Sequence, residues 1–445
     1  MKTASPARAA AFDVLLRVEQ QEAFASELLH SARLDTLSPA DRALATELTL
    51  GVLRWRSHLD NAITRASSQP LAKLDAEVLT ALRLGIYQMA FLDRVPARAA
   101  VNESVELVKR AGRTFSAPFV NAVLRRLSAS PEALRPLNPP ESPDGATLAA
   151  ALAHALWLVE RWIQQFGIET AQHICEYGQR VPEATLRLTS AGVEAELRAG
   201  GIELAPGRIM AGSRRVVSGN VTTTRAFAEG RVQIQDEASQ LVAALVGRGS
   251  RILDCCAAPG GKTSALSAAN PEAQVVALEL HEQRARTLRR RASAVNVHVI
   301  AADATELPLT QEFDRVLADV PCSGTGTLAR HPEIKWRLKV EDLGGLHRRQ
   351  VAILGAALDR VARGGRLVYS TCSLEKEENQ AVVEEALASR NDVRVADCAA
   401  ELGRLRHDGV LVWDDLDSLI AGPFLRTLPG VHPCEGFFAA ILERQ

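Results

Sequence analysis

Long apolar runs are missing from this chain. The longest, 148–159, is interrupted by His154 and ends at Glu160. It is too short to span a bilayer and reads as a core helix. No basic-then-apolar leader opens the sequence, so no secretory signal is expected. Net charge is also lacking: 52 basic against 53 acidic side chains leave −1. The whole molecule is therefore no polycation, and any nucleic-acid affinity must come from local basic patches. The seven cysteines, at 175, 255, 256, 322, 372, 398 and 434, form no C-x-x-C pair. Their odd number and irregular spacing exclude a disulfide frame and a zinc site, and no metal is expected. A reducing, cytoplasmic location follows, in which each thiol is either a small buried hydrophobe or a reactive group. No internal repeat is evident.

What is present is an ordinary globular balance, 47% apolar and 24% charged over 445 residues, enough for two to four domains. Residues 1–135 read as helices throughout, with apolar side chains at helical spacing in 9–18, 44–53, 78–92 and 101–108. Pro39, Pro70 and Pro96 punctuate them, and helices without strands predict a small all-α bundle. The Pro-rich stretch at 136–147 can hold neither helix nor ladder and is expected to be a linker. Residues 148–230 read as a small α+β domain: helices over 148–166 and 169–180, then short β-type runs at 185–189 and 216–217. From 231 to 445 strands and helices alternate. Apolar runs at 251–255, 275–280, 297–300, 315–318 and 367–370 predict an α/β, Rossmann-like, doubly wound sheet.

Four features carry chemistry. The first is Ile252-Leu-Asp-Cys-Cys-Ala-Ala-Pro-Gly-Gly-Lys-Thr263, where a strand ends in an acid and a glycine turn opens a helix. Such a turn lets a ligand approach the backbone and offers it free N–H groups. It is no phosphate loop, because Cys256 stands where that motif needs glycine. The second is a set of acids at strand ends: Glu279, where an acid can hold ribose hydroxyls, Asp303 and Asp319. Each alone would be a solvated cap, but together they line the carboxyl edge of one sheet, where open α/β sheets bind ligands. The third is a pair of cysteines after strands, in Asp319-Val-Pro-Cys-Ser-Gly-Thr-Gly326 and Tyr369-Ser-Thr-Cys-Ser373. A lone cysteine is usually a core filler; two at equivalent strand ends, facing a glycine loop, can supply thiolates for attack on an electron-poor carbon. The fourth is Ala329-Arg-His-Pro-Glu-Ile-Lys-Trp-Arg337. Its Arg330, Lys335 and Arg337 suit phosphates and its Trp336 suits a base.

These motifs resemble those of the Sun/Fmu (RsmB) family of bacterial 16S ribosomal RNA cytosine-5 methyltransferases, over nearly the whole chain. Asp254–Thr263 is similar to the family's cofactor loop, 319–326 with 330–336 to its first cysteine motif, and Thr371-Cys-Ser373 to its nucleophile motif. Gln235-Asp-Glu-Ala-Ser-Gln240 and Gly436-Phe-Phe438 resemble its leading helix and final strand. Leu48-Thr-Leu-Gly-Val-Leu-Arg-Trp55, Leu82-Arg-Leu-Gly85 and Phe119-Val-Asn-Ala-Val-Leu-Arg-Arg126 resemble a NusB-like RNA-binding domain.

The resemblance implies S-adenosyl-L-methionine in a pocket formed by Cys256, Ala257, Ala258, Pro259, Gly260, Gly261 and Lys262 with Glu279, Asp303 and Asp319. It implies Cys372 as nucleophile toward cytosine C6, Cys322 as the thiol aiding release, and Asp319 beside the base. Expected RNA contacts are Arg330, Lys335, Trp336, Arg337, Arg125 and Arg126, and the expected partner is free or early-assembly 16S ribosomal RNA, with no membrane. The sequence departs from the pattern at Glu279, at Leu186-Arg-Leu-Thr189, at Ala155 and at Glu435; none of these touches the chemistry. Competing readings are a tRNA or other rRNA cytosine target, a DNA cytosine methyltransferase, and a non-catalytic antitermination factor. The NusB-like region opposes the first. Thr371-Cys-Ser373 is superfluous for the second, and the intact thiols and glycine loop oppose the third.

Overall fold

The computed structural model describes residues 4–21, 23–29, 34, 36–136, 138–292 and 294–445. It divides into two compact units. The first is Met1–Val181 with Leu328–Arg337; the second is Pro182–Thr327 with Leu338–Gln445.

The first unit is helical. Helices Pro6–Gln21, Pro39–Arg54, Arg56–Ala66, Ala97–Arg110 and Ala117–Leu127 pack apolar faces around Ala76–Phe91, which is buried nearly all round. Leu48, Leu59, Ile63, Leu82, Leu84, Ile86 and Leu107 are wholly buried in the shared core. Caps follow local chemistry: Ser38 accepts the Asp41 N–H at 3.1 Å, with Pro39 at the first helical position. The helix expected over 148–166 is in fact two, Gly145–Ala151 and Leu156–Phe166. Between them Ala153 adopts φ +48°, and the freed carbonyl of Leu152 is taken by Gln179 Nε2 and by His154 Nδ1 at 2.7 Å. These helices and Ile168–Gly178 cluster with the N-terminal ones, not with the small mixed domain to which sequence reading assigned them. Leu137, in the linker segment, lies outside the described residues.

The second unit holds two sheets. Four short antiparallel strands, β1 (Thr185–Leu188), β2 (Glu203–Pro206), β3 (Ser213–Ser218) and β4 (Val232–Ile234), run in the order β2-β3-β1-β4. Helix Ala191–Ala199 covers them over Leu186, Val193, Leu197 and Val232.

The larger sheet contains β5 (Arg251–Asp254), β6 (Gln274–Glu279), β7 (Val297–Ala301), β8 (Phe313–Asp319), β9 (Val361–Thr371), β10 (Val393–Ala396), β11 (Ile420–Ala421), β12 (Phe424–Thr427) and β13 (Phe437–Arg444). Its order is β11-β12-β13-β9-β8-β5-β6-β7, with β10 also on β13. Strands β5 to β9 are parallel, and all five fall on the apolar runs read from sequence. The antiparallel flank, β10 to β13, departs from the expected purely parallel alternation. Because β5 is followed by β6 on one side and has β8 on the other, the switch in strand order lies at β5/β8. There a crevice opens at the carboxyl ends, and Asp254 and Asp319 end those two strands. No helix among the described residues is long and apolar enough to cross a membrane.

Candidate active site

The loop 255–260 joins β5 to helix Gly261–Ala269. Gly260 sits at φ +106°, a conformation side chains resist, and a Cβ there would meet Leu288 Cδ1 at 2.9 Å. Asp254 is buried: its Oδ2 accepts the Thr263 hydroxyl at 2.7 Å, while Oδ1 has no protein partner. Burial is the main cause that raises its pKa, to about 7, with Asp319 adding to the effect.

A carboxyl whose folded pKa is raised contributes stability below its unfolded value, near 4, and loses it as pH rises through about 7. The wild type should therefore lose roughly 2–3 kcal/mol between pH 5 and pH 8 relative to Asp254→Asn. Urea unfolding at the two pH values measures this; parallel pH dependence in both proteins would rule it out.

At the next strand end, Glu279 is 5% exposed and accepts the His281 N–H at 3.0 Å, with Arg284 3.7 Å away. Asp303 follows β7 but is exposed, and its Oδ1 accepts the backbone N–H and hydroxyl of Thr305 at 2.9 and 2.8 Å. Asp319 is more engaged. One oxygen takes Lys262 Nζ at 2.7 Å and the other the Ser370 hydroxyl at 2.7 Å, as the Asp319–Ser370 register of β8 and β9 requires. Burial opposes the charge on Lys262, but Asp319 foremost, with Cys372 and Asp254, holds its pKa above the ordinary range. The glycine loop and the strand-end acids thus converge, except that Asp303 is turned into its own loop.

The two cysteines also meet. Cys322 Sγ lies 3.2 Å from Cys372 Sγ, both half-buried and free. The hydrogen bond shared with Cys372, reinforced by burial, pushes the Cys322 thiol well up, and either sulfur can be the donor of that bond. Burial raises the thiols of Cys175, to about 12, of Cys398, to about 11, and of Cys255, Cys256 and Cys434. Cys175, Cys255, Cys398 and Cys434 are buried fillers, whereas Cys256 is half-buried in the glycine loop. Gly326 lets the first cysteine loop lie against the second: its N–H donates to Cys372 O at 2.9 Å, and a Cβ would stand 2.2 Å from Gly436 O.

A buried group not foreseen from sequence joins these loops. Glu378, with no exposure, accepts the Ser323 N–H (2.8 Å), the Gln350 amide (2.9 Å) and the Ser373 hydroxyl (2.5 Å), and also the Ser323 hydroxyl. Asn379 bridges Thr371 Oγ1 at 2.5 Å and Ser373 O at 2.9 Å. The available signal was the acidic run Glu375-Lys-Glu-Glu-Asn379 directly after the second cysteine motif, which on composition alone reads as a solvated turn.

The basic–aromatic segment requires correction. Lys335 is 1% exposed, and its Nζ donates to Arg54 O at 2.8 Å and Ala153 O at 2.9 Å. Burial pushes its pKa well below the lysine range; even a neutral amine keeps two N–H donors, which match the two carbonyls. Trp336 Nε1 donates to Leu53 O at 2.6 Å, and Arg337 to Val18 O at 2.8 Å and to Ala23 O. These three side chains fasten 328–337 within the helical unit; Lys335 is too buried to meet RNA as expected, while Trp336 and Arg337 remain half-buried. Arg330 is half-buried. Arg125 and Arg126 are exposed in the last turn of Ala117–Leu127, whereas Lys109 and Arg110 are paired with Glu106 and Asp13.

Residues 245–443 match the family model described as 16S rRNA methyltransferase RsmB/F, and residues 5–129 match that of the NusB family. The chain is 34% identical to the probable ribosomal RNA small subunit methyltransferase B of Bacillus subtilis, over 86% of this chain and 88% of that one. With ribosomal RNA small subunit methyltransferase B of Vibrio cholerae it shares 32% identity over 98% and 97%. A solved methyltransferase homolog from Pyrococcus horikoshii is 26% identical and superimposes with a TM-score of 0.56, covering 68% of this chain and 100% of its own.

Proposed function

The chain belongs to the ribosomal RNA small subunit methyltransferase B family, with a NusB-family region at residues 5–129, and from that membership we propose that it methylates carbon 5 of a cytosine in 16S ribosomal RNA, using S-adenosyl-L-methionine and a covalent cysteine adduct. The observation that carries the chemistry is the pair of thiols 3.2 Å apart beside the Lys262–Asp319 ion pair. C5 of cytosine is too weak a nucleophile unaided. Addition of the Cys372 thiolate to C6 turns C5 into an enamine-like carbon. The carboxylate of Asp319, ordered by Lys262 and Ser370, would accept a hydrogen bond from the exocyclic amine of the cytosine and so polarise the ring. Cys322 serves the last stage: as a thiolate it takes the proton from C5, the electron pair of that C–H bond re-forms the C5–C6 double bond, and Cys372 leaves C6 as a thiolate.

The residues fit the cofactor. Glu279 offers a buried acid for ribose hydroxyls, and the loop from Cys256 to Lys262, with the unpartnered Asp254 Oδ1 behind it, offers polar groups for a methionine end. When bound, S-adenosyl-L-methionine supplies an electrophilic methyl group. Glu279→Ala should weaken its binding by roughly 1.5–3 kcal/mol, as for a lost hydrogen bond to a charged group. Calorimetry giving the wild-type affinity would remove Glu279 from the pocket.

RNA binding is assigned to the helical region 1–135 and the small sheet domain, chemistry to 231–445, in the cytoplasm and on free or early-assembly RNA. Arg125 and Arg126 are the exposed cations that support this. Replacing both with glutamine should raise the Michaelis constant for RNA and lower the slope of affinity against salt by up to about 2. An unchanged slope would free this helix of any phosphate contact. The function itself is tested by incubating the chain with labelled S-adenosyl-L-methionine and bare small-subunit RNA, then digesting to nucleosides. 5-Methylcytidine is expected; label on another base, or on none, overturns the reading.

A further inference from the structure

Two thiols on separate loops do not stay 3.2 Å apart without help. Cys322 follows β8 and Cys372 follows β9, and each is succeeded by a serine. Both serine hydroxyls donate to one carboxylate oxygen, Oε2 of Glu378. The other oxygen, Oε1, takes the Ser323 N–H and the side-chain amide of Gln350, and the same amide nitrogen also donates to Pro321 O at 2.9 Å. Glu378 therefore grips the residue after each cysteine, and through Gln350 the residue before Cys322. The next residue, Asn379, straddles Cys372 by holding Thr371 and Ser373. Glu378 is itself held by its carbonyl, which accepts the Tyr369 hydroxyl at 2.6 Å.

A buried carboxylate is costly and persists only when its oxygens are well supplied with donors. Here the donors come from both cysteine loops at once. A pair of serines joined only to each other, 3.0 Å apart, would need no acid. From this convergence we infer that Glu378 is a positioning residue for methyl transfer, fixing the spacing of Cys322 and Cys372 so that the second thiol can reach the adduct formed by the first. This rests on the two-thiol reading above and adds to it the group that sets the geometry.

Glu378→Gln tests it with little change of shape. The amide oxygen can serve the two N–H donors that meet at Oε1, which leaves an NH2 group facing two hydroxyls that had both donated. The full-length variant is first checked for native unfolding temperature. Diamide, a two-electron thiol oxidant, is then added without RNA or cofactor, and the Cys322–Cys372 disulfide is followed by peptide mass. Each closure removes two thiol hydrogens and reduces one diamide. The rate reads thiol spacing directly and should fall about tenfold, as expected when a charged hydrogen bond is lost. With RNA and S-adenosyl-L-methionine, the variant should accumulate a protein–RNA adduct on denaturing gels while still methylating.

Wild-type closure rate and adduct lifetime in a folded Glu378→Gln protein would overturn the inference. So would activity that falls only in proportion to the folded fraction. If Glu378→Gln does not fold, Ser373→Ala, which removes one arm of the clamp, is read by the same two measurements and decides in the same way. Failure of the two-thiol reading is seen elsewhere, in a wild type that makes no 5-methylcytidine.

Discussion

Cys372→Ala should abolish methyl transfer, by at least about 10⁴-fold, and form no covalent complex with RNA. Cys322→Ala should instead attack and methylate, then stall as an adduct that survives a denaturing gel. The two thiols are equally near each other and similarly exposed, so position alone does not divide their tasks. What divides them is the motif each stands in: Thr371-Cys-Ser373 resembles the family's nucleophile motif, and Asp319-Val-Pro-Cys322 its first cysteine motif. Should Cys372→Ala trap the adduct and Cys322→Ala form none, the roles are reversed, as in DNA cytosine methyltransferases. Full activity in both variants would remove covalent catalysis altogether.

The second large effect is expected far from the chemistry. Lys335→Ala leaves the carbonyls of Arg54 and Ala153 without their donor and opens the space of a buried stem. Loss of a buried hydrogen-bond donor and of packed volume costs about 2–4 kcal/mol together, partly offset because a desolvated amine is removed. Thermal unfolding should shift by several degrees, while the salt slope of RNA binding per folded molecule stays put. A variant with wild-type stability and a salt slope lower by about one would restore Lys335 to the RNA-binding surface.

The contrast between these residues shows what the sequence could convey. Strands β5 to β9 were legible because buried parallel strands are short, continuous apolar runs ended by glycine or acid. The thiol pair and the strand-end acids were legible because parallel strands deliver their carboxyl ends to one edge. The break at Ala153 was hidden, since the apolar pattern resumes after His154, and the partners of the freed carbonyls include Gln179 and Lys335, far along the chain. Lys335 misled for a related reason. A cation beside an aromatic has the same composition whether it meets phosphate or backbone carbonyl, and only tertiary contact separates the two. Glu378 escaped because an acid in a charged turn looks solvated until the hydroxyls that surround it are in place.

The helical unit is closed by a piece of chain that comes late. Residues 1–181 belong to it, and so do 328–337, which are made only after nearly 150 further residues. Chains generally fold domain by domain as they leave the ribosome, N-terminal part first. Here the first part emerges without the segment that supplies Glu333 to the Ala25 N–H, Lys335 to Ala153 and Trp336 to Leu53. During synthesis those backbone groups lack these partners until the segment through Arg337 has left the ribosome. The nascent helical unit thus waits for the stretch that begins six residues beyond Cys322, and it is completed only once the first of the two paired thiols has been made.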